Sequence, residues 1–150
     1  LQKVELIRKY FDNAGITTDI IVGFPTETEQ DFLDTIDLVE KDKFTDIHPF
    51  PFSARSGTVA YKMQDLSPEI KKQRLKVLLD KKAECKERFA KSQVGKELQF
   101  LFEERKDGYA EGYTENYLRV YVQDLDSTDG LEKVQIIAPY KDGALAKIKE

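Results

Sequence analysis

The sequence predicts an α/β region followed by a small five-stranded antiparallel β-barrel. Three observations lead there. Residues 1–92 alternate helical and strand patterning, as a parallel sheet with crossover helices requires. Residues 93–150 change to short alternating strands broken by turn signals. Between them lies one long, basic helix with a clear N-terminal signal. A chain of 150 residues holds one ordinary domain or two small ones, and the change of texture divides it into 1–92 and 93–150.

The first stretch, "LQKVELIRKYFDNAG", spaces Val4, Ile7, Tyr10 and Phe11 as a helix does, and Gly15 is suited to stopping it. It opens without Met inside a helical pattern, which reads as a fragment of something longer. "TTDIIVGF" is a short β-branched run, expected to be a buried strand. Thr26 followed by Glu29 is spaced as a capping box for the helix carrying Phe32, Ile36 and Val39. "TDIHPFPF" is the next strand. Its Pro49 and Pro51 cannot donate to a sheet, which marks an outer edge blunted against further pairing. Ser67 as N-cap and Pro68 at the first helical position start the long helix, which runs to about Ser92.

Five strands are expected near 97–105, 109–114, 117–123, 132–138 and 144–149, separated by "KDG", "STDG" and "KDG". So many short strands in so few residues suggest a barrel of the oligonucleotide-binding type.

Composition narrows the classes. Hydrophobic content of 40% and charged content of 35% suit a packed, water-facing protein. No apolar run approaches the roughly 20 residues of a membrane span, and no signal-peptide pattern opens the chain, so no membrane partner is expected. Cys85 is the one cysteine, which excludes an internal disulfide and suits a reducing cytoplasm. It shares a helical stripe with Leu75, Leu78 and Phe89, a packing position. His48 is the one histidine, without a partner at metal spacing, and reads as a strand residue. Residues 67–92 carry nine basic and four acidic side chains, and residues 93–150 carry eight and twelve. The basic helix is either a solvated face or a source of phosphate contacts, with Lys81 and Lys82 among them.

Ligands of parallel α/β sheets sit beyond the C-terminal ends of the strands. "GFPTETE" and "SARSGT" occupy that position, side by side on one face. Gly23 is either a turn residue or an opening for a flat ligand against the backbone. The Glu27, Glu29 and Asp31 cluster either complements a helix dipole or, through Glu27, binds ligand hydroxyls or an amine. Arg55 at a strand end fits anion binding.

The blocks "TDIIVGFPTETEQDF", "FPFSARSGTVA" and "GYTENYLRV" resemble the C-terminal part of the radical S-adenosylmethionine tRNA methylthiotransferases. The resemblance covers nearly the whole chain. It implies that residues 1–92 are the C-terminal part of an open, partial TIM-type barrel, and that 93–150 form an RNA-binding TRAM barrel. By the family's pattern, the Ile21–Gly23 strand end with Phe50 and Phe52 lines the adenosyl pocket, and Ser53 and Arg55 sit at its mouth, near cofactor or substrate. Glu27 joins these cofactor-side residues from the reading of the loop alone. Tyr113, Asn116, Tyr117 and Arg119 fall on the RNA side, joined by Lys81 and Lys82 of the basic helix.

The family's chemistry is methylthiolation of adenosine at C2, with S-adenosylmethionine and two 4Fe–4S clusters. Its partners are the tRNA anticodon stem-loop and a reductant such as flavodoxin or ferredoxin. The ribosomal-protein branch carries acids where Ala54 and Arg55 stand, and the isopentenyladenosine branch reads tyrosine at Phe52. The blocks are most similar to the branch acting on N6-threonylcarbamoyladenosine beside the anticodon. The cysteines of the family's clusters have no counterpart here, so this piece alone is expected to be inactive. It is also expected to self-associate through an exposed sheet edge. The alternatives are a non-catalytic RNA-binding module, a methylthiotransferase acting on isopentenyladenosine, and an unrelated parallel α/β enzyme fused to a barrel.

Overall fold

The computed structural model describes residues 2–123 and 130–149. The chain groups into two compact units, one of Ile16–Cys85 and one of Gln2–Gly15 with the chain from Lys86 onward. The opening helix α1 (Gln2–Tyr10) therefore groups with the second unit. It ends five residues before Gly15, after the basic Arg8 and Lys9 of its last turn.

The first unit contains β1 (Thr17–Val22), α2 (Glu29–Asp42), β2 (Asp46–Pro51), a 3-10 turn (Val59–Lys62) and most of α3, which runs Pro68–Gln93. β1 and β2 form a two-stranded parallel sheet, in register from Thr17↔Asp46 to Val22↔Pro51. It is α/β and parallel, and among the described residues these two strands are its whole extent.

The expectation of a strand buried on both sides is corrected. Side chains alternate between faces with a period of two, so Val22 and Ile47 enter the core while Ile21 and Phe50, paired across the sheet, stay more than half exposed. One face of the sheet is core and the other is open. Ile16, Val22, Phe32, Val39, Phe44, Ile47, Leu78 and Cys85 are buried apolar residues of this unit.

The prolines of β2 sit on its outer edge, as the sequence predicts. Phe52 donates its N–H to Val22 O at 2.8 Å, so by alternation His48 and Phe50 also direct their N–H groups toward β1. The nitrogens of Pro49 and Pro51 therefore fall on the outer edge, where a missing donor costs nothing.

The start of α2 differs from the expected Thr26–Glu29 box. Thr28 is the N-cap, accepting from Asp31 N, while Asp31 Oδ2 accepts from Thr28 N at 2.8 Å. The register moves by two residues because Arg74 of α3 takes the Glu29 carboxylate, Nη2 to Oε2 3.0 Å, so Glu29 is engaged elsewhere. The start of α3 is as the sequence predicts, with Ile70 N donating to Ser67 Oγ.

The second unit holds β3 (Glu97–Lys106), β4 (Tyr109–Thr114), β5 (Arg119–Gln123), β6 (Leu131–Tyr140) and β7 (Gly143–Ile148). They close into a barrel in the order β3-β4-β5-β7-β6. Four pairings are antiparallel, but β5 and β7 are parallel, from Val120↔Ala144 to Val122↔Ala146. That corrects the antiparallel expectation, and the reason is parity. A closed ring with an odd number of strands cannot alternate direction all the way round.

Inward-facing Phe100, Val120, Val122, Val134 and Ile136 fill the barrel, joined by Ala90 from the end of α3. The first "KDG" signal is a tight hairpin with Asp107 at φ 50 and Gly108 at φ 82, the conformation a right-twisted hairpin favours. The "STDG" signal lies largely outside the described residues.

Candidate ligand cleft and barrel surface

The loops beyond the C-terminal ends of β1 and β2 converge as the sequence predicts. A cleft of about 690 Å³ is lined by Ile21, Phe50, Pro51, Phe52, Ser53 and Arg55, with Thr58 and Ala60 beyond them. Ile21 and Phe50 supply apolar floor from the open face of the sheet. Phe52 is fixed by an edge-to-face contact with Phe24, ring centroids 5.2 Å apart. The rim turns sharply at Gly57, φ 84. Thr58 Oγ1 donates to Arg55 O at 2.8 Å, and Thr58 caps the following 3-10 turn by accepting from Tyr61 N. This turn holds the Arg55 backbone while its guanidinium, among the described residues, forms no salt bridge. Lys71, Arg74, Lys81 and Lys82 of the same unit are all paired. Apolar walls with hydroxyls and one uncommitted cation suit a ligand with a flat apolar part and an anionic end.

Gly23 and Glu27 sit differently. Gly23 has φ 77, and a Cβ there would lie 2.4 Å from Lys71 Cγ, so its smallness serves a close approach within the protein. Glu27 Oε2 accepts from Gly23 N at 2.8 Å and from Arg74 Nη1 at 2.5 Å. The Glu27 and Arg74 side chains are 11% and 8% exposed, so this carboxylate is spent on an internal clamp. Burial works against the Arg74 charge, and its bonds to Glu27 and Glu29 outweigh that, raising its pKa. Arg74 was not singled out from the sequence. Its helical position among many cations gave no sign that it alone would be buried.

On the barrel, Tyr117 is 81% exposed with φ 62, and its ring centroid lies 6.3 Å from that of Tyr113. Asn116 is buried instead. Its Nδ2 donates to Asn13 O and Gln93 Oε1, each 3.2 Å away, and its Oδ1 accepts from Thr114 Oγ1. Arg119 is half-buried against acids, with Nη2 2.5 Å from Glu111 Oε2 and Nη1 3.6 Å from Asp142 Oδ2. The Glu111 bond holds its pKa well above the ordinary arginine value.

Lys81 bonds Glu40 and Glu84, which push its pKa up to about 12. Lys82 bonds Asp46 and donates to Ile47 O at 2.8 Å. Both ammonium groups are thus engaged within the first unit.

Sequence reasoning missed a second aromatic group. Tyr109, Tyr121 and Tyr140 pack together, with Lys141 Nζ 5.1 to 5.6 Å from all three ring centroids. Burial and a hydrogen bond to Asp142 raise the Tyr121 pKa. Alternation along β4 and β5 could have placed Tyr109 and Tyr121 on one outer face, but Tyr140 and Lys141 arrive from the β6–β7 turn.

Among the described residues no group of three or more His, Cys, Asp and Glu side chains could hold a metal ion. Nor is any of their helices long and apolar enough to cross a membrane.

Curated proteins similar to this chain are named as enzymes that modify tRNA. The chain is 41% identical over 87% of its length to the tRNA-2-methylthio-N(6)-dimethylallyladenosine synthase of Aliarcobacter butzleri. It is 43% identical over 79% to the threonylcarbamoyladenosine tRNA methylthiotransferase MtaB of Thermotoga maritima, and 30% identical over 99% to that of Bacillus subtilis. It covers 30%, 28% and 35% of those proteins, about a third of the length of the curated relatives it matches. No family model matches the chain. The chain belongs to the tRNA methylthiotransferase family.

Proposed function

We propose that this chain is part of an enzyme that methylthiolates tRNA at C2 of N6-threonylcarbamoyladenosine beside the anticodon, by radical S-adenosylmethionine chemistry. The observation that carries the reading is the cleft at the strand ends of β1 and β2, with Arg55 at its rim and in no salt bridge among the described residues. Ile21, Phe50 and Phe52 would hold the adenosyl moiety of S-adenosylmethionine, and Ser53 and Arg55 would bind its polar end or the substrate. When bound, that cofactor supplies the radical chemistry and the methyl group. What the chain's own residues do is bind, orient and exclude water. Thiolate ligation of a cluster takes three or four cysteines, and Cys85 is the one cysteine of the sequence, buried in a helix. The residues of this chain do not fit either of the two 4Fe–4S clusters.

The barrel would bind the anticodon stem-loop through Tyr113 and Tyr117, with aromatic stacking in place of a basic surface. The buried position of Asn116 and the committed ammonium groups of Lys81 and Lys82 favour structural parts for those residues. Phe52 favours the threonylcarbamoyladenosine branch, while both branches stand among the relatives.

Nucleoside mass spectrometry of tRNA from a strain deleted for the gene tests the reading. Loss of 2-methylthio-N6-threonylcarbamoyladenosine, with its unthiolated precursor accumulating, is expected. Loss of the isopentenyl derivative would select the other branch. Unchanged nucleosides would leave the non-catalytic RNA-binding module.

A further inference from the structure

Tyr117 combines two features that rarely coincide. A large aromatic residue with φ 62 lies in the left-handed region that L side chains avoid, and the same side chain is 81% exposed. With the ring so exposed, its contact with the Tyr113 ring does not by itself fix that conformation. The bracing comes from underneath. Tyr117 N donates to Thr114 O at 2.9 Å, and Leu118 N donates to Thr114 Oγ1 at 3.1 Å. Thr114 Oγ1 in turn donates to Asn116 Oδ1 at 2.6 Å. Asn116 Nδ2 reaches Asn13 O and Gln93 Oε1, and Asn13 Nδ2 donates to the same Gln93 oxygen at 2.8 Å. Gln93 and Asn116 are 1% and 7% exposed, so three separated stretches of chain meet in one buried amide network. Gly15 completes it. A Cβ there would lie 2.2 Å from Asn116 O, so the loop after α1 can press on the turn only as glycine.

We infer that Asn116 is a positioning residue, and that this network exists to hold the Tyr117 ring outward beside Tyr113 as a platform on which an unpaired RNA base stacks. The inference rests on the RNA-binding reading above. Strain at a braced, exposed position is the mark of a site whose conformation is needed for something other than stability. An aromatic platform takes any base and rejects paired ones. With Arg119 held by Glu111 and Asp142, the contact is made by the ring face and not by charge.

The test measures Tm and RNA affinity of the 150-residue chain. The probes are a fluorescein-labelled RNA hairpin with a single-stranded loop and a fully paired duplex of the same composition. Tyr117→Gly relieves the left-handed backbone, so its Tm should equal or exceed the parent's while hairpin affinity falls about 5- to 150-fold. Tyr117→Phe should keep the affinity, and duplex binding should respond to neither change. Asn116→Ala should weaken hairpin binding when Tyr117 is present and cost nothing further in the Tyr117→Gly background. A Tyr117→Gly variant that binds the hairpin as the parent does would overturn the inference. So would an Asn116→Ala effect of equal size in both backgrounds. If the parent itself binds neither RNA, the RNA-binding reading fails, and this inference with it.

Discussion

Arg74 and Glu27 lie 47 positions apart in sequence, yet Nη1 of one is 2.5 Å from Oε2 of the other, and both side chains are nearly buried. The same Glu27 oxygen accepts from Gly23 N, which ties the loop after β1 to α3. Removing Glu27 leaves the buried Arg74 guanidinium with only the exposed Glu29 carboxylate, so the loss falls at the lower end of the about 3 to 5 kcal/mol of a broken buried pair. Glu27→Ala should therefore lower unfolding free energy by that order. Denaturant titration with a two-state fit measures it, and a loss under about 1 kcal/mol would return Glu27 to ligand binding.

Arg55 should behave in the opposite way. Its side chain makes no salt bridge among the described residues, so Arg55→Ala should leave Tm unchanged. If it binds an anionic group, a charge-assisted bond of about 1.5 to 3 kcal/mol is lost, or roughly 10- to 150-fold in affinity for S-adenosylmethionine. Calorimetric titration of the protein that carries the clusters decides this. Equal affinities would reduce Arg55 to a surface charge.

Asp142 gives the barrel an acid-sensitive joint. Burial works to raise its pKa, but the Tyr121 hydroxyl and the charges of Lys86 and Arg119 outweigh it and hold the value below the ordinary 3.8. A carboxylate depressed in the folded state adds stability that is present above its unfolded pKa and disappears as pH falls through the folded one. Asp142→Asn should therefore lower Tm at neutral pH and narrow its gap to the parent as pH drops below about 4. A constant gap down to about pH 2 would show that the charge is not what matters.

The open face of the first sheet bears on assembly. Ile21 and Phe50 are 61% and 53% exposed, and the other edge of β1 has no strand partner among the described residues. An unpaired edge with apolar neighbours pairs readily with another chain. The 150-residue chain should scatter light as a dimer or larger at low micromolar concentration, and Ile21→Lys should return it to monomer. A stable monomeric parent would show that its own chain covers this edge.

Much of this was legible in the sequence, and for local reasons. Ser67 and Pro68 mark a helix start by their own chemistry, and the alternation of Phe50 and Phe52 with prolines marks an edge strand. The convergence of Ile21, Phe50, Ser53 and Arg55 followed from one rule about parallel sheets. What was missed depends on distant partners. Glu27 looked available because Arg74 lies far along the chain, and Asn116 looked like a surface residue because Asn13 and Gln93 were not yet beside it. The parallel β5–β7 pair is a different failure, since counting five strands in a closed ring already demanded it.

That parallel pair has a consequence for synthesis. Hairpins such as β3–β4 and β6–β7 can form as soon as their own residues leave the ribosome. β5 can find its second neighbour only when β7, at residues 143–148, has emerged and folded back on β6. Ring closure is thus the last event of translation for this region, and every earlier nascent chain carries a β5 edge open to whatever strand passes. The same rule makes β7 the bolt of the barrel. A truncation that removes only this strand leaves β5 and β6 each short of a neighbour, and so opens the ring at two seams.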